Sequence, residues 1–478
     1  MKSFNTINLS PDILKAIDLL NMKAPTQVQE QVIPLLFEGR DFIVKSQTGS
    51  GKTASFAIPI CQLVDWEENK PQALVLVPTR ELAIQVRDDI FNLGRFKRIK
   101  VSAVFGKSPF YYQQQELKAK THVVVGTPGR IIEHLEKETL DTSMIRYLVL
   151  DEADRMLDMG FIEQIEAVIS YLPSQRVTVL LSATLPKDIV ELAGKYMQNP
   201  AYVEIEDQSP AIERIKQEVY LTDSRSKLNL LKDITIRENP DSCIIFCNTQ
   251  LMVDELQQKL QEERYSCRKI HGGMTQQDRT RVMTDFKLGY FRYLVATDVA
   301  ARGIDVDNLS LIINYDIPED SENYVHRIGR TGRLSNTGKA VTLMTKYEDR
   351  YLEAIQEYIG KEIEQKEPPA PTPKHISEFQ AKNATAPKRK QTKGAPLAQE
   401  IMKIHINAGK KQNMRPVDIV GTLCNIPGMT AEDIGIIKVD DISTFVEVLN
   451  NKGEIVLHAL QYKPLKGRIR KVSKVEAR

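Results

Sequence analysis

Eight residues, Ser46-Gln47-Thr48-Gly49-Ser50-Gly51-Lys52-Thr53, have the types and spacing to hold a chain of phosphates. They follow the apolar run FIVK and precede a helical pattern. Glycines let backbone N–H groups close around phosphate oxygens at a helix N-terminus, Lys52 can reach the β- and γ-phosphates, and the Thr53 hydroxyl suits Mg2+. The usual pattern starts with glycine or alanine, and Ser46 takes that place here. A glycine-rich turn without a ligand is the competing reading, and the strand-then-helix context speaks against it.

A second group of residues completes the chemistry. The run YLVL leads into Asp151-Glu152-Ala153-Asp154. A carboxylate at the carboxyl end of a buried parallel strand sits where open α/β sheets bind ligands. Asp151 can hold Mg2+ through water, and Glu152 can orient and deprotonate an attacking water. Acids alone would read equally well as a solvated helix start. Together with the phosphate loop they predict hydrolysis of a nucleoside triphosphate, with Mg2+ as the expected ion.

These residues need a scaffold, and the sequence supplies two of one kind. FIVKS, ALVLVPT, VVVGTP, YLVLDE and TVLLSAT are apolar at nearly every position and alternate with helical stretches, as strands buried on both faces of a parallel sheet do. CIIFCNT, CRKIHGG, YLVATD, LIINYD and AVTLMT repeat the pattern, with EDQSPAIER near 206–214 as the expected join. The fold class is therefore α/β, with two doubly wound parallel-sheet domains in tandem. EPPAPTPK and PKRKQTKG predict a flexible linker over 367–397. After it, IMKIHINAG, DIGIIKVDD, STFVEVLN and GRIRKVSK read as strands, and RPVDIVGTLCNI as a helix, of a small α+β domain.

Length and composition agree. A chain of 478 residues is too long for one core. Hydrophobic residues at 42% and charged residues at 27% exclude a disordered chain. No apolar run is long enough for a bilayer, and MKSFNTINLS lacks a signal peptide's apolar centre, so a cytoplasmic protein with no membrane association is expected. The five cysteines lack zinc-ligand spacing and read as reduced core thiols. The net charge of +2 hides a basic end: Lys463–Arg478 holds seven basic residues and one glutamate, which suits a phosphate backbone or is simply a solvated terminus.

With these elements in place, Asp-Glu-Ala-Asp joins PTRELA (Pro78–Ala83), TPGR (Thr127–Arg130), SAT (Ser182–Thr184), ATDVAARGID (Ala296–Asp305) and HRIGRTGR (His326–Arg333). In this order the motifs resemble those of the DEAD-box RNA helicases over about residues 1–365. The resemblance implies two RecA-like domains, 1–206 and 207–366, that bind ATP and RNA. It implies that Gln29, in PTQVQ, bonds the adenine edge with Phe4 stacked nearby, although the family's glycine-aromatic pair before that motif is here Asn21-Met22. It further implies that Arg330 and Arg333 act as arginine fingers, that Asp305 holds the ribose with Arg302 near the domain interface, and that Ser182 and Thr184 couple the ATP and RNA sites. Domain closure would bring the fingers to the γ-phosphate, where arginine neutralises developing charge.

RNA contact is implied at Pro78, Thr79 and Arg80, at Gly106, at Thr127, Gly129 and Arg130, at Gln276–Arg279, and at Thr297. Gly106-Lys107 stands where the family often has two glycines. Residues 398–478 resemble the RRM-like domain of the bacterial DEAD-box branch that targets large-subunit ribosomal RNA. That likeness implies RNA binding by Lys410, Lys411 and Phe445, with His405 as a further stacking candidate, and implies 23S rRNA and pre-50S particles as partners. No obligate protein partner is expected. A nucleotide-gated RNA clamp and a DNA helicase of the same superfamily are the competing functions. Strand release separates the first from a helicase, and the complete motif set argues against the second.

Overall fold

Four-residue runs such as Ala73–Leu76 and Val123–Gly126 are buried at every position, so each must have neighbours on both faces. In the computed structural model, which describes residues 3–46, 50–205, 215–298, 309–332, 338–387, 389 and 394–475, they lie inside parallel sheets covered by helices. The first sheet comprises β1 (Phe42–Lys45), β2 (Ala73–Leu76), β3 (Val101–Val104), β4 (Val123–Gly126), β5 (Tyr147–Leu150), β6 (Val177–Ser182) and β7 (Ala201–Glu204). Its order is β3-β4-β2-β5-β6-β1-β7. The second comprises β8 (Ile215–Leu221), β9 (Cys243–Phe246), β10 (Cys267–Ile270), β11 (Tyr293–Ala296), β12 (Leu311–Asn314), β13 (Gly338–Met344) and β14 (Glu364–Lys366). Its order, β10-β11-β9-β12-β13-β8-β14, is the first order with every number raised by seven.

A third, antiparallel sheet lies in the C-terminal region: β15 (Met402–Ile406), β16 (Ile434–Val439), β17 (Thr444–Val448) and β18 (Val472–Lys474), ordered β16-β17-β15-β18. Ile404, Ile406, Val446 and Val448 point inward against the helices Pro416–Cys424 and Gly453–Leu460. Strand alternation therefore puts Lys403, His405, Phe445 and Glu447 on the outer face.

The chain forms two compact units, 206–391 and 1–205 together with 392–478. The expected join at 206–214 lies outside the described residues. The segment 367–397 is not uniformly extended. Thr372 caps a helix, Pro373–Asn383, that inserts Phe379 into the second unit's core, with its ring 5.3 Å from that of Tyr265. Proline content marks the start of this helix, and the apolar Phe379 gives it something to bury. The helix Ala395–Glu400 buries Leu397 in the first unit. Cys61, Cys243, Cys247 and Cys267 are buried free thiols, whereas Cys424 is half-buried. Among the described residues no helix is long and apolar enough to cross a membrane.

Candidate active site

The strand β1 ends at Lys45, and the helix Lys52–Leu63 starts six residues beyond the loop's first residue, Ser46. Gly51 caps the helix at φ +92°, and a Cβ there would come within 2.7 Å of Gln29 Nε2, so position and space both demand glycine. Ser46 Oγ bonds Ser50 Oγ at 2.7 Å, and Lys52 Nζ donates to Ser46 O at 2.6 Å. Lys52 is buried, and burial lowers its pKa against the opposing pull of Asp151. Gln47, Thr48 and Gly49 lie outside the described residues.

Gln29 is buried and spans two structures: Oε1 accepts the Thr26 amide at 3.1 Å, and Nε2 donates to Gly51 O at 3.2 Å. The PTQVQ segment is thus tied directly to the residue that caps the Lys52 helix. Phe4 is buried in the core of the first unit.

β5 delivers the acids. Asp151 is buried, and burial with the adjacent Glu152 charge pushes its pKa up to about 7, against the pull of Lys52. Glu152 adopts the left-handed conformation, φ +52°, at the start of the helix Ala153–Asp158, a geometry that costs a non-glycine residue about 1–2 kcal/mol. Its carboxylate pairs with Arg155 at 2.9 Å.

Asp154 is the residue whose role the sequence left unassigned. Its Oδ2 accepts the amides of Ala183 at 3.0 Å and Thr184 at 2.8 Å and the Thr184 hydroxyl at 3.1 Å. Its own amide donates to Ser182 Oγ at 3.2 Å, while Ser182 O accepts the Ser46 amide at 3.0 Å. The phosphate loop, the acidic motif and the SAT motif therefore form one hydrogen-bonded junction.

The other motifs in this unit also gather at strand ends. Thr79 caps the helix Arg80–Leu93, and a Cβ on Gly106 would lie 3.7 Å from Arg80. Thr127 precedes the helix Pro128–Glu136, and a Cβ on Gly129 would lie 3.1 Å from Gln164 Oε1. Arg130 donates to Ser108 O at 2.9 Å and to Gln113 Oε1 at 3.1 Å and pairs with Glu133 at 2.9 Å, so it braces the Gly106 loop. Pro78 lies between β2 and Thr79.

In the second unit, Thr297 is buried after β11, and Arg279 is half-buried on the helix Gln276–Lys287. Arg330 follows the helix Ser321–Ile328 and is buried. Asp305, Arg302 and Arg333 lie outside the described residues. Arg327, which sequence reasoning passed over, is fully buried. It grips Asp298 through Nε at 2.5 Å and Nη2 at 2.6 Å, and reaches Asn248 and the Asp316 carbonyl. It fastens HRIGRTGR to ATDVAARGID. An arginine within a run of positive charge gave no sign of which member would be internal.

In the terminal domain, Phe445 stands 5.1 Å from His405 between ring centroids, with Lys403 Nζ 5.2 Å over its ring. Lys410 and Lys411 have exposed side chains, and their amides donate to Asp440 O and Asp441 O at 2.8 Å.

Fold and site together define a phosphate-loop ATPase built from two RecA-like units. Comparison with known proteins refines this. Residues 26–192 match the model of the DEAD/DEAH box helicase family, 226–335 that of the helicase conserved C-terminal domain, and 403–474 that of the DbpA RNA binding domain. The chain is 53% identical to the ATP-dependent RNA helicase DbpA of Bacillus subtilis, over 99% of both chains. It is 37% identical to the Escherichia coli protein of that name, over 98% of both. A structure of Saccharomyces cerevisiae Dbp5 bound to RNA and ADP BeF3 superposes with TM-score 0.69 at 32% identity, covering 80% of this chain and 99% of that one. The chain belongs to the DEAD-box ATP-dependent RNA helicases, and within them to the DbpA type.

Proposed function

We propose that this chain couples RNA-stimulated ATP hydrolysis to local unwinding or remodelling of RNA during assembly of the large ribosomal subunit, with 23S rRNA in pre-50S particles as its target. The observation that carries the coupling is the junction at Asp154, which joins the triphosphate-binding loop to the SAT motif.

In this reading Lys52 and the amides of residues 46–53 hold the triphosphate. Thr53 and Asp151 supply hard oxygen donors that fit Mg2+, and the ion when bound would neutralise phosphate charge. Glu152 leaves Arg155 to take a proton from the attacking water. Arg330 and Arg333 neutralise charge on the transferred phosphoryl group. Gln29 and Phe4 serve the adenine end, and Asp305 the ribose. Pro78, Thr79, Arg80, Gly106, Thr127, Gly129, Arg279 and Thr297 serve the RNA backbone, with Arg130 holding the Gly106 loop in place. The outer face of the terminal sheet, with Phe445 and His405, and the loop of Lys410 and Lys411 bind the ribosomal RNA. The match of residues 403–474 to an RNA binding domain supports this assignment.

The test compares ATPase stimulation by ribosomal RNA, transfer RNA and homopolymer for the full chain and for a chain ending at Pro387. That end point retains the helix Pro373–Asn383, on which the second unit's core depends. The shortened chain should keep RNA-stimulated turnover and lose its preference for ribosomal RNA by about tenfold or more. A shortened chain with the full preference would return specificity to the RecA-like domains. Multiple-turnover strand release by the full chain separates a helicase from a nucleotide-gated clamp.

A further inference from the structure

The outer face of the terminal sheet carries one residue that does not suit an RNA-reading surface. Lys403, His405 and Phe445 would meet phosphate and bases, yet Glu447 stands on the same face, paired in register with Lys403. A carboxylate there repels phosphate unless a cation covers it. The covering cation comes from the first RecA-like domain. Arg95 Nη2 reaches Glu447 Oε1 at 3.1 Å, and both side chains are largely buried, at 13% and 6% exposure.

The contact extends on both sides of this pair. The strip Arg95-Phe96-Lys97-Arg98-Ile99-Lys100 puts Arg98 against the carbonyl of Ala431 and Lys100 Nζ 3.3 Å from the carbonyl of Ile437. Phe96 is buried with Leu397, Ile401 and Leu449 in a small apolar cluster with Ala16. Over its ring sits Lys15, which pairs with Glu400 at 2.7 Å and bonds Asn450 Oδ1 at 3.0 Å. Basic residues of one domain thus meet acids and carbonyls of the other around a shared apolar centre.

We propose that the Glu447 end of this sheet is a docking surface for the first RecA-like domain, and that the face is divided, with protein at Glu447 and RNA at Lys403, His405 and Phe445. The terminal domain then rides on the ATP-binding domain and is not free to swing on its tether. Because the two are parts of one chain, a contact of modest strength is enough to keep them together. Only the RNA half of this division rests on the function proposed above.

Lys15 and Glu400 provide a direct test in the full-length protein at low concentration. A carbodiimide joins a lysine amine and a carboxylate in contact as an amide, and peptide mass spectrometry then reports the yield. Lys195 and Glu166, also 2.7 Å apart but both within the first RecA-like domain, serve as the internal control. The wild type should give both cross-links. Arg95→Glu or Glu447→Arg should cut the Lys15–Glu400 yield at least fivefold and spare the control, and the double reversal should restore it to within about twofold. Formation of the control alone in the wild type, or a Lys15–Glu400 yield unmoved by either reversal, overturns the proposal. The measurement uses no RNA, so its outcome is independent of whether the terminal domain binds RNA.

Discussion

The two RecA-like units wind in the same order and put a lysine at the same place, yet the two lysines do different work. Lys52 opens the helix after β1, and Lys227 opens the helix after β8. In the first unit the connecting loop carries glycines, and Asp151 lies directly after β5. In the second, Asp223 fills the corresponding loop. Its carboxylate accepts the amides of Arg225 at 2.8 Å and Ser226 at 3.0 Å and the Ser226 hydroxyl at 2.8 Å. Lys227 is buried and turned to Asp316, two residues beyond β12, at 3.3 Å. The second unit answers its helix N-terminus with its own carboxylate, where the function proposed above gives that position in the first unit to a phosphate. One fold thus gives a binding site or a closed structural joint, depending on a few loop residues.

The hardest test of this contrast is to remove each lysine. Lys52→Ala should lower ATP turnover by on the order of 10³-fold or more, because the charge facing the β- and γ-phosphates is lost. Lys227→Ala should leave turnover within a few-fold and destabilise the second unit by about 1–3 kcal/mol in urea unfolding, because Asp316 keeps its charge and loses its partner. Equal losses of turnover in the two variants would erase the distinction.

Glu152→Gln should slow hydrolysis by about 10²-fold or more while ATP and RNA remain bound, since the amide can still meet Arg155 but cannot accept the proton. Filter binding and single-turnover hydrolysis on the same preparation check both halves.

Asp151 gives the first unit a dependence on pH. Burial favours its neutral form, so between about pH 4 and 7 the folded chain holds a proton that the unfolded chain has released. Stability from this group is complete below about pH 4 and declines as pH rises through 7. Asp151→Asn should remove the decline, gaining on the wild type by on the order of 1–3 kcal/mol across that window while losing turnover. Parallel stability curves for the two proteins from pH 4 to 8 would contradict the assignment.

The smallest effect concerns the closed loop. Asp223→Ala should cost about 1 kcal/mol of second-unit stability through the lost hydrogen bonds from Arg225 and Ser226, without creating a nucleotide site, because no glycine lets that backbone wrap a phosphate. Nucleotide titration of this variant should still give one site per chain.

Much of this architecture was legible in the sequence because the central strands are apolar on both faces. Of the four edge strands described in the two parallel sheets, Cys267–Ile270 was read and the other three were not: Ala201–Glu204 and Glu364–Lys366 alternate or expose most positions, as strands with one open side do, and Val101–Val104 has a serine inside a run no longer than its neighbours. Ile215–Leu221 was hidden by three polar residues, of which Glu218 is neutralised by Lys216, Lys339 and Lys366. The positions of the phosphate loop and the acidic pair were readable because their chemistry fixes residue type and spacing. The hub at Asp154 was not, since its partners are mostly backbone amides that leave no mark on composition. The docking proposed for the terminal domain was equally hidden: nothing in RFKRIK marks the arginine that meets Glu447.

Ser182 can be viewed as a rivet. One atom of it, the carbonyl, fastens the phosphate loop through Ser46, and another, the hydroxyl, fastens the acidic loop through Asp154. Two moving parts on a common fastener have only the play of a hydrogen bond, roughly a few tenths of an ångström, before one drags the other. The two joints also fail differently: losing the hydroxyl loosens only the acidic plate, whereas the carbonyl cannot be removed by changing a side chain. A worn rivet of this kind leaves the phosphate plate fixed, while its neighbour hangs on by the bonds that Asp154 takes from Ala183 and Thr184.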